Sequence, residues 1–243
     1  MITLERIVNL YDASTIAAVI IKPVPLTSGV LPPPEGYLRR LRTICDNYDI
    51  LLIFDEFSSG FGRLGQAFAA NVYDVVPDMI CFANGVTSGM VPMGGVIVRE
   101  PIYETFMGGP EHATELRHGC AFSGHPLACA AGLAALDIYE QERLFARVHV
   151  LEQVLASAVH GLRGLPSVQD SRNAGLNAAV DLSPKPGARG MRGFAAMEYA
   201  FRECDLLLRA TGDTLILAPP LIVSEAQIGE IVEKTAQAIK AVA

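Results

Sequence analysis

Four short apolar runs, Ala17–Ile21, Ile50–Phe54, Met79–Phe82 and Gly95–Val98, constrain the fold of this chain more than any other feature. Runs of this length are too short for free-standing helices, and they lack the alternating polar positions of a half-exposed strand, so they read as buried strands. Between them, Gly36–Tyr48 carries the spacing of an amphipathic helix and a second helix is expected near Ala67–Tyr73. Strands alternating with helices predict an α/β layer with a largely parallel sheet covered on both faces. Ligands of such sheets sit at the carboxyl ends of the strands, which directs attention to the residues that follow each run.

The second half of the chain reads differently. His125 and Pro126 open a long Ala- and Leu-rich helix, PLACAAGLAALDIY, with proline in the first turn, where its missing N–H is harmless. A second long helix is expected around Leu144–Leu162, followed by strands near Val168–Asp170, Leu176–Leu182 and Thr214–Leu217. Ser224 can cap a final helix. The stretch SPKPGARG at Ser183–Gly190 is the one flexible-looking segment. The pattern divides the chain into residues 1–135, belonging to a larger α/β domain, and residues 136–243, a smaller α+β domain hinged on the long helix.

With 243 residues, 51% of them hydrophobic, the chain can bury a substantial core. A formal net charge of -7 with scattered basic residues gives no footprint for nucleic acid or an anionic membrane. Cys45, Cys81, Cys120, Cys129 and Cys204 are odd in number and widely spaced, which favours reduced, buried thiols over a disulfide framework. The N-terminal MITLERIVNLYD carries charges where a signal peptide would be apolar, and no apolar run is long enough to span a bilayer. These features together predict a cytoplasmic protein with a small-molecule or protein partner.

The segments LLIFDEFSSGFGR at Leu51–Arg63 and VPDMICFANGVTSGMVPMG at Val76–Gly94 are followed by GPEHA at Gly109–Ala113. HGCAFSGHPLACAAGLAALDIY at His118–Tyr139 and LLLRATGDTLILAPPLI at Leu206–Ile222 complete the set. In order and without large gaps, they resemble the class III pyridoxal-phosphate-dependent aminotransferases, most closely the ω-amino acid (β-alanine):pyruvate branch. The resemblance implies a fold-type I PLP-transferase-like architecture: an incomplete large, PLP-binding domain with a mostly parallel sheet, and a small α+β C-terminal domain. It implies an ancestral transfer of an amino group from an ω-amino acid or amine to pyruvate. It also implies that the chain starts after the family's N-terminal half, which supplies a phosphate loop and an aromatic that stacks on the cofactor.

Residue by residue, the resemblance assigns Asp55 to the carboxylate that pairs with the pyridinium nitrogen and keeps it protonated, so that the ring can withdraw electrons. Arg209 matches the mobile arginine that takes the substrate carboxylate through a planar two-point contact. The family's Schiff-base lysine falls at Asn84. A carboxamide has neither a nucleophilic amine nor a pKa near neutrality, so it can hold no tether and move no α-proton. Phe57 replaces a valine packed on the cofactor ring, and Ala121 replaces a threonine that reaches the phosphate of the neighbouring subunit. Lys22 stands where the family has glutamate. The expectation is an inactive or strongly impaired aminotransferase whose pyridoxal phosphate, if bound, is held weakly and without a covalent bond.

Alternatives follow from the same residues. Of the lysines, Lys22, Lys185, Lys234 and Lys240, only Lys22 projects from a strand end near Asp55, where it could substitute for the lost amine or form an ion pair with Asp55 or Glu56. Ser58, Ser59, Ser88 and Ser123, with His118 and His125, suggest a repurposed hydrolase, although no GxSxG elbow is present. His118, Cys120 and His125 match no common zinc spacing, so no metal is expected. The non-catalytic reading is a pseudoenzyme, a homo-oligomer or a heterodimer with a full-length homologue, docking through the family's dimer surface.

Overall fold

The computed structural model describes residues 2–108, 110, 116 and 118–243. Of the GPEHA segment only Pro110 lies within the described residues. An N-terminal helix α1 (Ile2–Tyr11) leads into β1 (Ala18–Ile21), α2 (Tyr37–Asn47), β2 (Leu51–Asp55), a short α3 (Ala69–Tyr73), β3 (Met79–Ala83), β4 (Gly94–Val98) and α4 (Glu100–Met107). Then come the long helices α5 (Pro126–Gln141) and α6 (Leu144–His160), β5 (Val168–Asn173), β6 (Ala178–Leu182), α7 (Met191–Glu203), β7 (Arg209–Thr211), β8 (Thr214–Leu217) and α8 (Glu225–Ala241).

The first sheet runs β1-β2-β3-β4, with the first three strands parallel and β4 antiparallel to β3. Within β2, Leu52 and Phe54 are fully buried and pack with Leu38, Leu41 and Cys45 of α2. The other side of the strand carries Leu51, Ile53 and Asp55, which are only half-buried. Ile20, paired with Ile53, is 63% exposed. The expected cover on both faces is therefore present on one face only among the described residues. At the β4 edge Val96, Ile97 and Val98 are all exposed, so both sides of that strand meet solvent. Asp78 ties the first layer together: it accepts from Leu52 N–H at 2.7 Å, from Arg42 at 2.6 Å and from Arg99 at 3.1 Å.

The second sheet, ordered β5-β6-β8-β7, is wholly antiparallel. One face, with Ala178, Val180, Leu182, Leu215 and Leu217, forms the main core with α6, α7 and α8. The opposite face, through Ala179 and Ile216, packs on Val24, Leu26, Val30 and Leu64 from the first half of the chain. Ser224 caps α8 as expected, accepting from Gln227 N–H while the Gln227 side chain accepts from Ser224 N–H. At α7, Asp213 does the same from a distant turn, accepting from the N–H groups of Gly190, Arg192 and Gly193.

Several elements were not anticipated. α1, α4 and α7 went unread although each is amphipathic, and β7 is three residues long. The SPKPGARG stretch forms a turn with a Lys185–Ala188 bridge leading directly into α7. All five cysteines are free, yet only Cys45 and Cys204 are buried and Cys120 is exposed, because it lies in a turn and not in an element facing a core.

Arg172 on β5 joins the two halves. Its Nε donates to the carbonyls of Gly29 and Val30 at 2.8 and 3.0 Å, and its two terminal nitrogens donate to Asp181 at 2.6 and 3.0 Å. Burial works to raise the Asp181 carboxyl, but hydrogen bonds from Arg172 and Thr214 outweigh it and hold it below the ordinary carboxylate range. Such a group stabilises the fold fully above the unfolded value of about 4, and that stabilisation is lost as pH falls through the lower folded value. Arg172→Met is expected to destabilise the protein by about 2 to 3 kcal/mol near neutrality. Urea melts from pH 7 to pH 3 should show that difference shrinking on the acid side; an unchanged difference at pH 3 would refute the assignment.

Candidate functional site

The parallel register delivers three side chains to one edge of the first sheet. β1 ends at Ile21, β2 at Asp55 and β3 at Ala83, so Lys22, Asp55 and Asn84 follow each other across the carboxyl ends of adjacent strands. Lys22 Nζ lies 3.2 Å from Asp55 Oδ2. Asp55 Oδ1 accepts from Phe57 N–H at 3.2 Å, which turns the chain sharply out of the sheet. Asn84 opens a 3-10 turn at φ 55°, ψ -72°, a conformation outside the common regions for an L-residue. Its Nδ2 donates to the Phe57 carbonyl at 3.2 Å, bridging the β2 and β3 loops. The Phe57 ring itself is half-exposed at the rim.

Beneath this edge sits Glu56, which the sequence offered only as an alternative ion-pair partner of Lys22; the lysine pairs with Asp55 instead. Glu56 is fully buried, and accepts from Ala69 N–H at 2.5 Å, Ala70 N–H at 2.9 Å and the Ser59 hydroxyl at 2.9 Å. Burial, the dominant influence, pushes its carboxyl up, while the three donors pull it back. Its placement at the start of α3 suits an anion, because the first N–H groups of a helix lack internal partners. The only hint in the sequence is its position directly after Asp55, where strand alternation turns it to the buried side.

A hollow of about 700 Å3 opens beside this edge, between the Phe57–Arg63 turn, the Asn84–Gly89 turn, the end of α5 and Pro220–Ile222. Tyr139 on α5 donates to the Gly85 carbonyl at 2.6 Å and so fixes the helix against the β3 loop. Arg63, unnoticed in the sequence, reaches across to the second half, where its Nη1 donates to the carbonyls of Pro219 at 2.6 Å and Leu176 at 3.4 Å. Gly175 (φ 54°) lies so close to the Arg63 backbone that a Cβ there would collide with the Arg63 carbonyl, which explains a glycine at this contact. Burial pulls the Arg63 guanidinium below its ordinary value.

The other residues read from the sequence fall elsewhere. Arg209, the first residue of β7, is exposed and lines a separate hollow together with Arg63 and Ser58. Ala121 lies exposed in the turn before α5. Ser58 and Ser88 border the large hollow, but Ser59 is occupied by Glu56. Ser123 lies outside it, and its hydroxyl accepts from Cys120 N–H at 3.2 Å. Neither His118 nor His125 is hydrogen-bonded to Ser123 among the described residues, so no nucleophile and base are paired there. No group of three or more His, Cys, Asp or Glu suited to a metal ion occurs among the described residues.

Comparison with known proteins places this arrangement in context. Residues 2–239 match the family model described as aminotransferase class-III. The chain belongs to the class III aminotransferases. It is 51% identical over 230 residues to an omega-aminotransferase of Caulobacter vibrioides, covering 95% of this chain and 52% of that protein. It is 43% identical over 242 residues to a beta-alanine–pyruvate aminotransferase of Pseudomonas aeruginosa, covering 99% of this chain and 54% of the relative. Among solved structures, an omega transaminase of Pseudomonas jessenii in complex with PMP superposes with a TM-score of 0.93 at 33% identity, over 98% of this chain and 54% of that one. The chain thus spans about half the length of the class III relatives it matches, and the mixed first sheet plus antiparallel second sheet is that half of the transaminase fold.

The Glu56 network has a direct consequence. In Glu56→Gln an amide NH2 would replace one acceptor oxygen and face backbone N–H donors. A loss of about 1 to 3 kcal/mol is expected, measurable as a lower denaturation midpoint. A neutral effect would mean that the carboxylate is not needed at the start of α3.

Proposed function

We propose that this chain descends from an ω-amino acid:pyruvate aminotransferase and keeps the frame of that site without the amine that drives its chemistry. On its own it then transfers amino groups poorly or not at all. The observation that carries this reading is the carboxamide of Asn84, which occupies the β3 strand end and is engaged with the Phe57 carbonyl. Support for the lineage comes from the relatives named for β-alanine, ω-amino acids and pyruvate.

Pyridoxal phosphate, the cofactor of the family, supplies an electron-withdrawing ring and a reactive aldehyde when bound. The residues here fit its ring only in part and do not fit its tether. Asp55 is a suitable partner for a protonated ring nitrogen, but Lys22 already lies on that carboxylate. Lys22 is the only lysine at this edge, and as an ammonium held by Asp55 it is a poor nucleophile. Arg209, exposed and free of any carboxylate partner among the described residues, remains suited to a substrate carboxylate. The division at residue 135 falls inside α5, which packs on the β3 loop through Tyr139 and on α6.

A second reading has an observation of its own. Val96, Ile97 and Val98 on β4, and Leu127, Leu133 and Leu136 on α5, are exposed apolar side chains of the kind that protein partners cover. It supports assembly with an aminotransferase chain. Co-expression with a full-length homologue should yield a joint peak in size-exclusion chromatography; separate elution would remove this reading.

The catalytic defect is tested by restoring the amine. Incubation with pyridoxal phosphate followed by borohydride should leave the unmodified chain without a labelled peptide. Asn84→Lys should give a reduced adduct at residue 84 and a new visible absorbance band. Labelling of the unmodified protein at Lys22, or steady transamination of β-alanine with pyruvate, would overturn the proposal.

A further inference from the structure

Asn84 is followed by Gly85, the one Asn-Gly pair in the chain. An asparagine amide can be attacked by the backbone nitrogen of the next residue, and a glycine leaves that nitrogen unhindered. Packing demands the glycine here, because a Cβ at position 85 would collide with the Phe61 side chain. Asn84 is exposed and both residues line the hollow of about 700 Å3, so water and hydroxide reach the pair.

The local fold favours that attack. As the first residue of the 3-10 turn, Gly85 has an N–H with no acceptor among the described residues. The Asn84 carbonyl accepts from the N–H groups of Gly89 at 2.9 Å and Thr87 at 3.3 Å, which draws charge from the shared amide and makes the Gly85 N–H more acidic. A ψ of -72° at Asn84 turns the Gly85 nitrogen nearer to the asparagine side chain than helical or extended backbone does. The other asparagines, Asn9, Asn47, Asn71, Asn173 and Asn177, each precede a residue that carries a side chain. Behind three of them, the N–H groups of Tyr48, Val72 and Ala174 are already donated to carbonyls.

We propose that Asn84–Gly85 is a self-modification site at which the chain deamidates spontaneously. The Gly85 nitrogen gives its proton to hydroxide and bonds to Asn84 Cγ; the Cγ–Nδ2 bond breaks, and the amide nitrogen takes a proton from water and leaves as ammonia. Water then opens the resulting succinimide at either carbonyl, giving an aspartyl or an isoaspartyl residue. The net exchange is one water consumed, one ammonia released and one negative charge gained at the strand end. Neither carboxylate can donate to the Phe57 carbonyl, so the bridge between the β2 and β3 loops is lost. Neither product carries an amine, so the catalytic reading stands or falls separately.

The test is incubation of the full chain over days in mildly alkaline buffer made with heavy-oxygen water, followed by peptide mapping that separates the isomers. The peptide holding residue 84 is expected to yield two acidic isomers, each with one heavy oxygen, while the peptides holding Asn47, Asn71 and Asn177 stay unchanged. Asn84→Gln, which would have to close a larger ring, should slow the conversion about tenfold or more. Should that variant fail to fold, the comparison with the other asparagines of the unmodified chain decides alone. No gain at residue 84 in the folded chain, aspartate without its isomer, equal conversion of the other asparagines or an unslowed Asn84→Gln would each overturn the assignment.

Discussion

Backbone pairing among β1, β2 and β3 is the constraint on which the site depends. Because the three strands are parallel, their carboxyl ends share one edge, where Lys22 meets Asp55 and Asn84, three residues beyond the position opposite Asp55, reaches the Phe57 carbonyl. Strand alternation then sorts the next residue: Asp55 faces the half-open side of the sheet while Glu56 turns into the interior. Two adjacent carboxylates thereby acquire different work, one paired with Lys22 at the sheet edge and one at the buried start of α3.

Two arginines decide how the second half meets the first. Arg172 is balanced by Asp181 and by the carbonyls of Gly29 and Val30, so its charge is satisfied where it lies. Arg63 has only carbonyl partners among the described residues, at Pro219 and Leu176. Desolvating a guanidinium without a counter-charge is unfavourable, so Arg172 is held more fully satisfied than Arg63.

Strands and helices whose apolar spacing answers to a single buried face were legible from the residues, and so were the cap at Ser224 and the proline start of α5. α1, α4 and α7 were not: α4 buries no side chain, and α7 takes its cap from Asp213, a residue beyond its C-terminal end. The serines of the turns looked alike in the sequence; only folding separated Ser58, at the junction of two hollows, from Ser59, held by Glu56.

By itself the sequence determined the strand ends and the identity of the groups placed on them, the carboxamide of Asn84 among them, since those follow from local pattern and side-chain chemistry. Tertiary structure decided which of those groups are engaged. The Lys22–Asp55 pair, the Asn84–Phe57 bridge, the exposed flanks of β4 and the joint exposure of Arg63 and Arg209 to one hollow join residues from as few as 27 to nearly 150 positions apart. Charge, desolvation and hydrogen bonding act through space, and no local stretch of residues records which distant neighbour will arrive.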